Sequence, residues 1–241
     1  MKKIVPVVAV GLLLSGCKVD MNTTVDLNDL MSSTHKAVSG KLSFEVPACS
    51  SHEDSRKESK SLTDLKAQVP TIFRNAQFTE CYTKQFSSYA DFAIPVDVGS
   101  MDEPTNMADT DIYIVSSKKH RTLAGIVLNK DLIERIRKAQ KNAMNKMDFD
   151  ISVTINRGDN TLSGYMVGVY QTFPDGKKVP ASFAPLNWEN AKTLTFTLSD
   201  VSTEQLFTDS SYTFLHDQSR FTVNGTNDGA EKAAAPAKTT P

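Results

Sequence analysis

The stretch Lys130-Asp-Leu-Ile-Glu-Arg-Ile-Arg-Lys-Ala-Gln-Lys-Asn-Ala-Met-Asn-Lys146, running on into Met147-Asp-Phe-Asp-Ile-Ser-Val-Thr-Ile155, changes its apolar period partway along. In its first part Leu132, Ile133, Ile136, Ala139, Ala143 and Met147 recur at three- and four-residue spacing, one face of a helix. Asn129 stands where an N-cap belongs. Asp131 and Glu134 put negative charge near the helix N-terminus, where the backbone dipole favours it. In the second part Phe149, Ile151, Val153 and Ile155 alternate with polar residues, the period of a strand with one buried face. A long amphipathic helix feeding a strand predicts an α+β fold: a mainly antiparallel sheet with one long helix and several short ones. The other helix face carries Arg135, Arg137, Lys138, Lys141 and Lys146. A helix lying on a membrane would need bulkier apolar residues, so this one is expected to dock on the core.

Outward toward the C-terminus, Asn156-Arg157-Gly158-Asp159-Asn160 is turn chemistry and predicts a hairpin pairing Phe149–Ile155 with Leu162–Tyr170. Arg157-Gly158-Asp159 also spells the integrin-binding tripeptide, but Gly-Asp is what such a turn requires anyway. Lys177–Leu186, with Pro180 and Pro185, reads as irregular. Thr193–Leu198 alternates strictly and predicts a strand. Ser202 and Gln205 have the spacing of a capping box for a short helix ending near Phe207, with a last strand at Ser211–Leu215. From Asn224 to Pro241 no large apolar residue occurs, so the tail cannot offset its ordering entropy and reads as disordered.

Outward toward the N-terminus, Thr122–Leu128 and Asp111–Val115 read as paired strands around a basic turn, Lys118–Arg121. The loop before them carries Asp102, Glu103 and Asp109 but lacks the alternating ligands and turning glycine of a Ca²⁺ site. Tyr89–Val98 is extended, with Pro95 arguing for an edge or a break. Phe78–Lys84 and Gly40–Val46 read as strands. Ser61–Asp64 reads as a helix start, with Pro70 marking its end. Met21–Leu27 alternates weakly, and a short helix begins near Asn28. A strand running into a capped helix occurs twice, at Thr122–Lys146 and Thr193–Phe207, which gives the domain two similar halves.

The N-terminus supplies the localisation. Lys2 and Lys3 precede an apolar run, Ile4–Leu14, which ends in Leu14-Ser15-Gly16-Cys17. This is the build of a secretory leader. The run is too short for a membrane span, which needs about 20 apolar residues. Leu-Ser-Gly-Cys resembles the bacterial lipobox. That resemblance implies diacylglyceryl transfer to Cys17 Sγ, cleavage between Gly16 and Cys17, and acylation of the new amine. The partner is then the lipid bilayer, held through acylated Cys17. Lys18 in the next position favours the outer membrane, with the inner membrane as the alternative. The chain divides into a leader (1–16), a membrane-proximal segment (17–40), a periplasmic α+β domain (41–223) and a tail (224–241).

With Cys17 acylated, Cys49 and Cys81 remain as an even pair in an oxidising compartment, and a disulfide between them is expected. His35, His52, His120 and His216 are scattered, and no metal or cofactor is expected. A formal net charge of −1 argues against a nucleic-acid partner. No nucleophile elbow, His-Glu-x-x-His, Walker loop or dinucleotide fingerprint occurs.

The start Met1-Lys-Lys…Leu-Ser-Gly-Cys17, the following Lys-Val-Asp-Met-Asn-Thr-Thr-Val-Asp-Leu-Asn-Asp-Leu30 and the segment Phe-Glu-Val-Pro-Ala-Cys49 resemble enterobacterial prophage-encoded lipoproteins of the YfjS and YafY type. The resemblance implies an envelope lipoprotein whose excess provokes envelope stress, and it has an inner-membrane association. It supplies no catalytic residues. The expectation is a non-catalytic, membrane-anchored lipoprotein that binds an envelope protein or influences envelope stress. The alternative is a periplasmic hydrolase with an unrecognised site.

Overall fold

Val19, Met21, Thr23 and Val25 are buried and alternate with more exposed neighbours, making strand β1 (Lys18–Asp26). It sits between two others in a single large sheet. This is a computed structural model, and it describes residues 18–103, 108–142 and 147–218. The segment read as a leader, with Gly16 and Cys17, the 143–146 part of the predicted helix and the segment read as a tail lie outside the described residues. The remaining strands are β2 (Lys36–Val46), β3 (Gln77–Lys84), β4 (Ser87–Ser100), β5 (Ile112–Ser117), β6 (Thr122–Leu128), β7 (Asp148–Asn156), β8 (Leu162–Thr172), β9 (Lys178–Trp188), β10 (Thr193–Leu198) and β11 (Ser211–Asp217). The helices are α1 (Leu27–Leu30), α2 (Lys60–Ile72), α3 (Lys130–Asn142) and α4 (Asp200–Asp209).

Neighbouring strands follow the order β10-β7-β1-β2-β4-β5-β6-β11-β8, and β8 pairs back to β10. The result is a closed nine-stranded barrel with four short helices. This corrects the expected α+β fold with one long amphipathic helix. Helix α3 is 13 residues long as described, the same as α2. Its apolar stripe covers a small share of the core. Most of the core belongs to strand side chains: Phe44, Phe92, Phe196 and Phe214 are fully buried, with Trp188 beside them. Phe44 meets Phe92 edge-on at 5.7 Å, and Phe196 meets both Trp188 and Phe214. The residues read as a membrane-proximal segment supply β1 and the start of β2, inside the barrel.

The hairpin expected between β7 and β8 does not form. β7 instead runs parallel to β1 along all nine of its residues and antiparallel to β10. Its turn is held by Arg157, which is buried. Arg157 Nε donates to the Ala191 carbonyl at 2.7 Å, and the terminal nitrogens donate to the carbonyls of Glu189 and Asn160. The Arg-Gly-Asp tripeptide therefore presents no arginine to a partner.

β8 closes the ring by serving two partners on one edge. Gly164–Met166 pair with β11, and Val169–Thr172 pair with β10, while β9 follows the whole opposite edge. The changeover is at Gly168, with φ +61°. A Cβ there would lie 2.1 Å from Ser202 Oγ and 2.3 Å from Tyr212 Oη, so only glycine fits. The segment read as irregular is β9. It pairs with β8 alone, and an outer edge strand accommodates Pro180 and Pro185 because no ladder there needs their missing N–H. β4 repeats the two-partner device. One edge follows β2, while the other serves β3 and then β5, with Pro95 in the gap between them.

Candidate functional site at the Lys18 end of the barrel

Strand register gathers one set of termini at one end. Lys18 pairs with Asp148 at the start of β7. The next residue, Val19, pairs with Phe44, and Glu45 beyond it pairs with Tyr89 near the start of β4. At this end the helices leave a groove. Ile136 and Arg137 of α3, Met147 just before β7, Phe149 of β7, and Thr203 and Phe207 of α4 enclose about 280 Å³. A second hollow of about 330 Å³ lies among Lys18, Asp150, Tyr170, Lys178 and Leu198. The two hollows share Asp148, Phe149 and Asp200 as walls and so lie side by side, together making up the groove. Local sequence explains the walls. Asn129 Oδ1 caps α3 by accepting from the Asp131 amide, and Ser199 Oγ caps α4 by accepting from the Ser202 amide.

The groove has an aromatic floor and a charged rim. The Phe149 and Phe207 rings lie 4.9 Å apart, and Arg137 donates to the Phe207 carbonyl at 3.1 Å. On the rim Lys18 Nζ stands 3.6 Å from both Asp20 and Asp150. Asp20 foremost, then Asp150, hold the ammonium above its ordinary value against the effect of burial. Burial pushes the Asp20 carboxyl up; Lys18 pulls it back and Asp150 adds repulsion. Lys178 lies over the Tyr170 ring at 4.7 Å. An apolar floor within a charged rim suits recognition of a side chain or short segment.

Next to this rim an acidic row crosses the outer face of the sheet. Asp150, Asp20, Ser43, Asp91 and Glu80 stand in register from β7 to β3. Lys41 meets Asp91 at 3.2 Å. Burial, and then the Asp91 charge, push the Tyr82 phenol up.

Cys49 and Cys81 stand at disulfide distance, with Cα atoms 5.7 Å apart. They join the loop after β2 to β3. Cys17 and Gly16 lie outside the described residues. Among the described residues no helix is long and apolar enough to cross a membrane.

Two clusters that sequence reading missed lie elsewhere. His35 and Asp97 form a buried pair at the opposite end, where β2 begins and β4 ends. His35 Nδ1 is 3.0 Å from Asp97 Oδ2, and Nε2 is 3.0 Å from the Ser100 carbonyl. Asp97 also accepts from the Ala108 amide. The ring lies over Gly99, where a Cβ would come within 2.7 Å of it. Both ring nitrogens are taken up by the backbone and Asp97, so this is a clasp rather than a base. The separation of 62 positions between His35 and Asp97 hid the pair. The second cluster is Asp111, which accepts from Arg135 and from the Arg74 amide, fastening α2 and α3 to β5. The acidic loop read ahead of β5 is thereby accounted for: Asp109 and Asp111 meet Arg74, and Asp102 caps the Ser117–Lys119 turn.

Together these features define a closed β-barrel domain with a helix-walled groove at one end. The chain belongs to the family described as a domain of unknown function, DUF7424, whose model matches residues 19–218. No curated protein and no solved structure matches it.

Proposed function

We propose that this chain is an acylated envelope lipoprotein, held in a membrane through Cys17, that binds an envelope partner in the groove at its Lys18 end and catalyses no reaction itself. One observation carries the reading. β1 begins at Lys18, and Lys18 is itself a wall of the groove. The residue that the lipobox-like sequence marks for acylation is thus the immediate neighbour of the site, with no tether between them. Each buried methylene adds about 0.8 kcal/mol to membrane affinity, so three acyl chains hold the body permanently. A groove so placed meets partners that are themselves at the membrane. The leader and the cysteine pair support an oxidising envelope compartment. Lys18 favours the outer membrane over the inner.

The test is a photo-crosslinking residue placed at Glu204, on the groove wall, in cells carrying the full-length chain. A second probe at Lys192, beyond the far end of β7, serves as control. The expected result is a discrete crosslinked band from Glu204 only, lost with Cys17→Ala, with the protein mass showing acylation and a density gradient assigning the membrane. Identical bands from both positions, or bands unchanged by Cys17→Ala, would overturn it.

A further inference from the structure

Five large apolar side chains stand exposed among the described residues: Phe86, Met101, Tyr170, Phe183 and Val201. Three of them belong to the Lys18 end. Tyr170 shares a hollow with Lys18, and Val201 follows Asp200, which lines that hollow too. Phe86 sits at the tip of the β3–β4 hairpin and is fully exposed. Its strand starts at the same end: Tyr89 pairs with Glu45, one residue beyond the Val19–Phe44 pair. The tip runs three residues past that register, about 10 Å at roughly 3.3 Å per residue.

This tip is held stiffly. Only Gln85 and Phe86 separate the paired residues Lys84 and Ser87, and Gln85 takes φ +56°. Ser87 Oγ donates to Glu45 Oε1 at 2.7 Å. The Tyr82 and Tyr89 rings pack 5.8 Å apart beneath the turn, and Cys81 is bridged to Cys49. A braced hairpin that ends in a fully exposed phenylalanine beside a lysine gains nothing for the fold from that ring.

We infer that Phe86 enters the interfacial layer of the bilayer, with Val201 on the same side, as a second membrane contact that sets which end of the barrel faces lipid. The inference rests on the anchored reading above, because it takes Cys17 as the first contact. The chemistry fits. An aromatic ring inserts at the headgroup–acyl boundary, roughly 5–10 Å deep, a depth the length of the tip can reach. Lys84 beside it can pair with lipid phosphate.

The experiment uses the full acylated chain with Phe86→Trp, reconstituted in vesicles of phosphatidylethanolamine and phosphatidylglycerol doped with brominated phosphatidylcholine. The native indole, Trp188, is buried and donates to the Ala191 carbonyl at 2.6 Å, so it supplies a constant background. The expected result is a blue shift and bromine quenching of the new indole. In the unacylated Cys17→Ala chain, Phe86→Ser should weaken vesicle partitioning on the order of tenfold, a change of about 1.4 kcal/mol. A chain retained by Cys17 acylation whose indole at position 86 stays unshifted and unquenched overturns the inference and leaves the anchored reading standing. Position 86 in contact with a protein instead of lipid overturns it in the same way. A chain with Cys17 intact whose mass shows no acyl group, but which still partitions through Phe86, overturns the anchored reading alone.

Discussion

The two ends of the barrel use their side chains differently. At the His35 end, polar groups meet partners inside the chain. His35 lies between Asp97 and the Ser100 carbonyl, Ser116 Oγ donates to the Leu30 carbonyl at 2.7 Å, and Asp102 receives Ser117 Oγ and the Lys118 amide. At the Lys18 end, apolar rings and charged groups face outward around a groove, and the most exposed of the large apolar side chains, Phe86, stands on a braced tip. Both ends are bounded by loops and short helices, so secondary structure does not separate them. The difference lies in where polar and apolar groups find partners. It teaches that the His35 end is a plug, whose cost of change falls on folding, and the Lys18 end the proposed working surface, where the cost of change should fall on binding.

The largest effect belongs to the plug. His35→Ala leaves the Asp97 carboxylate buried without its ring partner and opens a void above Gly99. Breaking a buried pair in this way costs about 3–5 kcal/mol, seen as a lower urea midpoint with an unchanged slope. A loss near that of an ordinary surface change, below about 0.5 kcal/mol, would break the comparison, because the plug would then be as tolerant as the open end.

Between the ends runs the seam at Gly168. Gly168→Ala adds a Cβ in a left-handed conformation, costing roughly 1–2 kcal/mol. It also drives that Cβ into Ser202 Oγ and Tyr212 Oη, and overpacking of this kind costs about 1–3 kcal/mol. The expected loss is about 3 kcal/mol by urea titration, with loss of the β8–β10 closure visible as faster amide exchange in β10. Exchange that speeds up in β9 instead would mean that the ring is not closed through this strand.

How far the fold could be read from sequence follows from the range of each signal. Alternation is local, so β7, β10 and the β5–β6 pair were legible, as was the Asn129 cap of α3. Pairing is not local. β7 lies beside β1, more than 120 residues earlier, and the Asn156–Asn160 turn that looked like a hairpin is held by Arg157 reaching to Glu189 and Ala191. The prolines of β9 masked a strand because they suit an outer edge as well as a loop. Two helix starts were read a few residues late. The serines that cap α2 and α4 are Ser59 and Ser199, which accept from the Leu62 and Ser202 amides, and Pro70 is tolerated inside α2. Of the groove, Phe149 and Asp148 were visible only as residues at a strand start. Their junction with Thr203 and Phe207 exists only after closure. Cys49 and Cys81 could be paired on compartment alone, whereas nothing along the chain distinguished Phe86 from the other aromatics of its hairpin.

The smallest expected effect has the opposite sign and lies at the open end. Asp20 pairs in register with Asp150 and has a folded-state pKa above its ordinary 3.8, raised by burial that outweighs Lys18. The folded chain therefore holds this proton more tightly than the unfolded chain does. Stability from this group is present below pH 3.8 and is lost as pH rises through the folded value, after which it stays level. Asp20→Asn removes that loss together with the repulsion from Asp150. The variant should unfold at a slightly higher urea concentration than the native chain at neutral pH, and the gap should close as the pH is taken down toward 3.8. Urea midpoints over a pH series, read for both chains, measure it. A variant weaker than the native chain at neutral pH would show that the Lys18 ion pair stabilises this end more than burial costs it. The Lys18 end would then share the internally satisfied character of the His35 end, and the division between plug and working surface would rest on Phe86 and the groove alone.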